Sequence, residues 1–107
     1  MRLLIAALVG TGLTCLAAGN CLAEGNVDAG REKAQTCTGC HAVEGYFNVY
    51  PSYRVPKLGG QNAAYVESAL KQYRDGGRKH PTMHANAWNL SDADIADIAA
   101  YFSSVSQ

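Results

Sequence analysis

Cys37-Thr38-Gly39-Cys40-His41 is the stretch on which the reading of this chain turns. Two thiols three positions apart stand at the end of a helical segment, and an imidazole follows at once. Several chemistries use such a pair. A structural zinc site needs four ligands, commonly two such pairs, and no second pair follows here. A thiol–disulfide redox pair expects strands and a βαβ unit around it. A plain disulfide has no use for the histidine. The remaining chemistry uses all three side chains: both thiols bond the vinyl groups of one haem as thioethers, and the adjacent imidazole nitrogen binds the iron. The motif therefore predicts covalent haem attachment through Cys37 and Cys40, with His41 as an axial ligand. The covalent bonds would keep the cofactor in place while the iron changes oxidation state.

Upstream, the chain opens on Met1-Arg2, a mostly apolar run from Leu3 to Ala18, and then Cys21-Leu22-Ala23. A positive start, a short apolar core and small residues at its end describe a secretory signal peptide. The run falls short of the roughly 20 residues that span a bilayer, and Gly10 and Gly12 interrupt it. Neither Cys15 nor Cys21 has a leucine three residues before it, so a lipoprotein anchor is not expected. Cleavage after Ala23 would divide the chain into a leader, 1–23, and one small domain, 24–107. The leader takes Cys15 and Cys21 with it, leaving Cys37 and Cys40. It also takes one arginine, leaving eight basic side chains against nine acidic ones. That balance offers no attraction to nucleic acid or to an anionic membrane. A domain of this size buries little apolar surface and often needs a bound group for stability.

Downstream, the periodicity predicts an all-α fold. A first helix runs from about Val27 to Thr36, with Asn26 as N-cap, and leads into Cys37. A second begins after Asn62 and ends near Asp75. It carries the stripe Val66, Ala69, Leu70 and Tyr73, and Gly76-Gly77 stops it. A third starts at Ser91, with Asp92 and Asp94 in its positive first turn and Ile95, Ile98, Ala99 and Phe102 along one face. No segment alternates with period two, so no sheet is expected. Residues 42–61 form a long loop with too many aromatic side chains for disorder; such loops usually carry function.

The other axial position has three candidates, His80, Met83 and His84, within His80-Pro81-Thr82-Met83-His84. Met83 is preferred, as a neutral thioether in a loop between helices that favours ferrous iron and raises the potential. Either histidine would give bis-histidine coordination and a lower potential, and a methionine can also simply fill a core gap.

Taken in order, these features resemble a class I c-type cytochrome, the short soluble bacterial kind with one haem. The resemblance runs over nearly all of Val27 to Phe102. It rests on the Cys37–His41 motif, Pro56-Lys57-Leu58-Gly59-Gly60-Gln61, Gln72-Tyr73-Arg74-Asp75-Gly76, Met83, and the terminal helix with Leu90-Ser91 and Ile98-Ala99-Ala100-Tyr101-Phe102. It implies three main helices with loops wrapped around one covalently bound haem c. It implies that the Pro56 carbonyl accepts a hydrogen bond from the axial histidine, and that Gly30 meets Tyr101 where the first and last helices cross. The chain departs from the simplest family pattern at Ala42, where many relatives carry glycine, and in the aromatic loop with Tyr46, Phe47, Tyr50 and Tyr53. Those rings either line the haem cavity or form a docking surface; Trp88 is expected to line the methionine side. Arg74, Arg78 and Lys79 form a basic cluster expected to be a solvated helix end, able to steer an acidic partner if it borders the haem edge.

The function implied is that of a periplasmic electron carrier, with no enzymatic activity at the haem. Its partners would be a redox-protein donor and acceptor, met transiently, without stable membrane insertion after leader cleavage. Two alternatives keep the same cofactor: a cytochrome subunit of a periplasmic dehydrogenase, and a haem-based enzyme or gas sensor with a displaceable sixth ligand. A thiol–disulfide oxidoreductase is a further one.

Overall fold

The computed structural model describes residues 24–106; the leader expectation for 1–23 lies outside them. Helices α1 (Val27–Lys33), α2 (Gln35–His41), α3 (Ala63–Asp75), α4 (Pro81–Ala87) and α5 (Asp92–Ser104) make up most of this region, with a hairpin of strands β1 (Phe47–Val49) and β2 (Ser52–Arg54). Each of the three expected helices begins on a side chain that satisfies an orphan backbone amide. Asn26 accepts from the Ala29 N–H at 2.9 Å and Asn62 from that of Tyr65 at 3.1 Å. Ser91 and Asp94 form a reciprocal capping box, the hydroxyl accepting from the Asp94 amide at 3.1 Å and the carboxylate from the Ser91 amide at 3.0 Å. α3 ends where Gly76 turns left-handed at φ 84°.

Three local expectations need correction. The first helix is not continuous to Thr36: it breaks at Ala34, a fully buried residue that closes α1 and starts α2. Met83 lies not in a loop but inside α4, where Pro81 occupies the first turn, a position that needs no amide donor. Finally, a small antiparallel sheet exists, pairing Phe47 with Arg54, Asn48 with Tyr53 and Val49 with Ser52. Strands of three residues are too short to print a period-two signal on the sequence.

α1 crosses α5 at backbone distance. A Cβ on Gly30 would overlap the Asp97 carbonyl oxygen and stand 2.9 Å from Cβ of Tyr101, so a side chain there would push the helices apart. Lys33 reinforces the crossing, its Nζ 2.7 Å from Asp94 and 2.6 Å from Asp97. Asp97 also accepts the Asn26 amide at 2.7 Å. The core beneath joins Ala34, Val66, Leu70, Ala87, Ile95, Ile98, Ala99 and Phe102. Three of these are alanines, and the large side chains that are fully buried are Ile95 and Ile98. Among the described residues, no helix is long and apolar enough to cross a membrane.

Candidate functional site

α2 presents the whole Cys37–His41 motif on two helical turns. The thiols of Cys37 and Cys40 are free and half-buried. Burial pushes the Cys37 thiol up, away from the thiolate that a redox-exchange cysteine requires. His41 is buried, 9% exposed, and its Nδ1 lies 2.7 Å from the Pro56 carbonyl oxygen. A carbonyl only accepts, so Nδ1 carries the proton and Nε2 keeps its lone pair. The Leu58 amide returns to the His41 carbonyl at 3.2 Å. The loop that leaves α2 at Ala42 is thus closed back on His41 by two bonds, and the histidine anchors both ends of it.

Within that loop the hairpin has an unusual polarity. Phe47, Val49, Ser52 and Arg54 are exposed, while Asn48 and Tyr53 are half-buried. At its tip Val49 is 85% and Tyr50 96% exposed, and Phe47 is 55% exposed. Tyr53 turns the other way. Its hydroxyl donates to Thr82 Oγ1 at 3.1 Å, and its ring meets that of His80 edge-on, with 4.7 Å between centroids.

The three candidates for the sixth position have different surroundings. Met83 is half-buried and packs against the same core as Cys37. His80 caps α4, its Nδ1 accepting the Met83 amide at 3.4 Å, and its ring sits between Tyr53 and Tyr73. His84 is exposed and donates from Nδ1 to the Tyr73 carbonyl at 2.8 Å. Both imidazoles are therefore engaged in holding α4, whereas the thioether has no polar duty. Trp88, directly after α4, is 64% exposed.

The basic cluster is divided. Arg74 is not a solvated helix end: it bonds Asp75 and Asp92, each at 2.8 Å, and donates to the Leu90 carbonyl at 3.1 Å, tying α3 to the start of α5. Arg78 lies over the rings of Tyr65 and Tyr73, 5.8 and 5.3 Å from their centroids. Lys79 is exposed.

These residues fit a covalently held haem. Two unbridged thiols on one helix face the requirement for two thioether bonds. The buried imidazole has one nitrogen fixed by a carbonyl and the other free to bind metal. Zinc would need a different set, and among the described residues no three His, Cys, Asp or Glu side chains gather to hold a metal.

Sequence reasoning gave Tyr53 only as a haem-lining or docking ring, and missed that it, Thr82 and the Tyr73 carbonyl hold α4. No local pattern announces them, because each acts on a residue more than ten positions away.

Comparisons with known proteins point to one family. The family model described as cytochrome c matches residues 27–106. Cytochrome c-554(548) of Halomonas halodenitrificans is 49% identical over 83 residues, covering 75% of this chain and 96% of its own length. Cytochrome c4 of Pseudomonas aeruginosa is 41% identical over 103 residues, which is 96% of this chain. This chain spans about half of that protein, 48% of its length. The crystal structure of reduced recombinant cytochrome c4 from Pseudomonas stutzeri aligns with a TM-score of 0.58 at 32% identity, over 74% of this chain and 47% of that one. A more distant relative is the cytochrome subunit of sulfide dehydrogenase from Chlorobaculum tepidum, 31% identical over 67% of this chain and 62% of its own.

Proposed function

This chain belongs to the cytochrome c family, whose members hold haem c covalently, and we propose that it is an exported one-electron carrier with His41 and Met83 as its axial ligands. The observation that carries the reading is the buried His41 ring, fixed by the Pro56 carbonyl at 2.7 Å immediately after the two cysteines. Bound haem c supplies an iron that cycles between ferric and ferrous. The polypeptide supplies the rest. Cys37 and Cys40 tether the ring, so it stays attached in both oxidation states. Pro56 orients the imidazole and raises its basicity, as carbonyl partners of metal-bound histidines do. Met83 adds a soft, neutral sulfur that favours the ferrous state. With His41 and Met83 both holding the iron, no coordination position would be left for a substrate, which supports electron transfer over catalysis at the haem. Residues 1–23 act as the leader that brings the domain, 24–107, to the periplasm. There it meets a donor and an acceptor redox protein in brief, small-area encounters.

Replacing Met83 with alanine tests the ligand set. The ferric protein is expected to lose its iron–sulfur absorption and the potential to fall well below that of the parent. An unchanged spectrum, or ready carbon monoxide binding by the reduced parent at neutral pH, would instead indicate a histidine ligand or an open position. The likeness to the sulfide dehydrogenase cytochrome subunit favours one second reading, in which the same domain serves as an electron-accepting subunit of a periplasmic dehydrogenase. Stoichiometric co-purification with such an enzyme from a periplasmic extract would select it over the free carrier.

A further inference from the structure

The strap between the hairpin and α4 assigns a role to a residue that touches neither the cysteine motif nor the Pro56 carbonyl. The inference rests on Met83 being an iron ligand, and it concerns what holds Met83 in position. α4 has seven residues, too few for a helix to persist by itself in water. Among the described residues its neighbouring helix is α3. Two side-chain hydrogen bonds tie α4 to other elements. One joins His84 to the Tyr73 carbonyl of α3; the other joins Thr82 to Tyr53 of β2.

Tyr53 acts at the turn that matters. Its hydroxyl reaches Thr82, the residue before Met83, at 3.1 Å. Its ring packs edge-on against His80, whose Nδ1 accepts the Met83 backbone amide. The hairpin register makes this contact possible, because Tyr53 pairs with Asn48 on the half-buried face while its strand neighbours Ser52 and Arg54 point out. The hairpin thus points Phe47, Val49 and Tyr50 outward and turns Tyr53 toward α4.

We propose that Tyr53 is the positioning residue of Met83, clamping the first turn of α4 so that the thioether stays on the iron. An exogenous ligand can enter only by displacing Met83. Displacement moves that turn and breaks the Tyr53–Thr82 bond, so the bond weakens every competing ligand. A clamp that is kept while Met83 holds the iron and broken when it leaves would show its loss in ligand exchange.

Imidazole titration of the ferric holoprotein reads this directly. Tyr53→Phe keeps the ring against His80 and removes the donor; Thr82→Val removes the acceptor. Each is expected to tighten apparent imidazole binding about fivefold, the size of one net neutral hydrogen bond. The double variant should bind no tighter than either single one, because both remove the same bond. A tyrosine of merely structural value would lower the thermal midpoint and leave imidazole affinity alone. Unchanged affinity in both single variants overturns the clamp, as do effects that add in the double variant. Failure of the underlying ligand reading is separately visible: Met83→Ala would keep the parent ferric spectrum, and the clamp would fall with it.

Discussion

A buried imidazole needs a partner for each polar nitrogen, and at His41 one of the two is supplied by the chain. This division of labour leaves Nε2 for a metal, which is why the Pro56 carbonyl matters although the proline ring does no chemistry. Charge is used just as locally where α1 meets α5. Asp94 and Asp97 sit on Lys33 and are held below the usual carboxylate range, chiefly by hydrogen bonds from its ammonium, while the Lys33 amine is pushed up by the same two bonds. Depressed folded-state aspartates contribute stability that is present above the unfolded aspartate value, about pH 4, and lost below it. The raised lysine contributes below its unfolded value, about pH 10.4, and loses that contribution as pH rises further. Thermal midpoints measured against pH should therefore fall more steeply on the acid side in the parent than in Lys33→Met. Parallel acid limbs in the two proteins would mean that the clasp adds nothing in solution. The clasp lies near the surface, with Lys33 34% and Asp94 30% exposed, so the effect is expected to be small and added salt should shrink it.

At the scale of elements, the crossing of α1 and α5 depends on one missing side chain. A methyl group at Gly30 would meet the Asp97 backbone carbonyl, which cannot rotate away, and the first helix must lift. Gly30→Ala is expected to destabilise the holoprotein by roughly 2 kcal/mol, in the range of overpacked cores, measured as a lower urea midpoint at unchanged slope. Gly39, open on every side, is the control, and its alanine variant should not lose stability. The Arg74 bridge works on another pair of elements, fastening the end of α3 to the first turn of α5 through Leu90 and Asp92. α4 then hangs between α3 and the hairpin, short and dependent on its neighbours. Its helical state could not be read from seven residues whose alternating small, polar and aromatic flanks carry no clear stripe. The caps of α3 and α5, in contrast, were legible because Asn62, Gly76 and Ser91 act on residues within three or four positions of themselves.

For the whole molecule, the small core sets the terms. Alanines and two isoleucines are what lies fully sealed, while Phe47, Val49, Tyr50 and Trp88 present apolar surface outward. A domain so sparsely filled has little margin over its chain entropy unless a large apolar group joins it. The polypeptide 24–107 carrying Cys37→Ser and Cys40→Ser, and so unable to hold haem covalently, is expected to show far less helix by circular dichroism than the holoprotein. A cooperative thermal transition at full helicity in that variant would show that the polypeptide core suffices.

The order of residues along the chain determined the caps of α1, α3 and α5, the haem-binding motif that α2 carries, and the methionine as the softest of three neighbouring candidates. All of these are short-range: a cap, a stripe or a five-residue spacing is complete within a few turns of backbone. Tertiary structure alone decided that the first helix breaks at Ala34, that Met83 rides on a helix, that Phe47 to Arg54 pair as a hairpin, and that Tyr53 reaches Thr82. Each of those depends on partners distant in sequence, and their energy of contact outweighs whatever weak preference the local residues express.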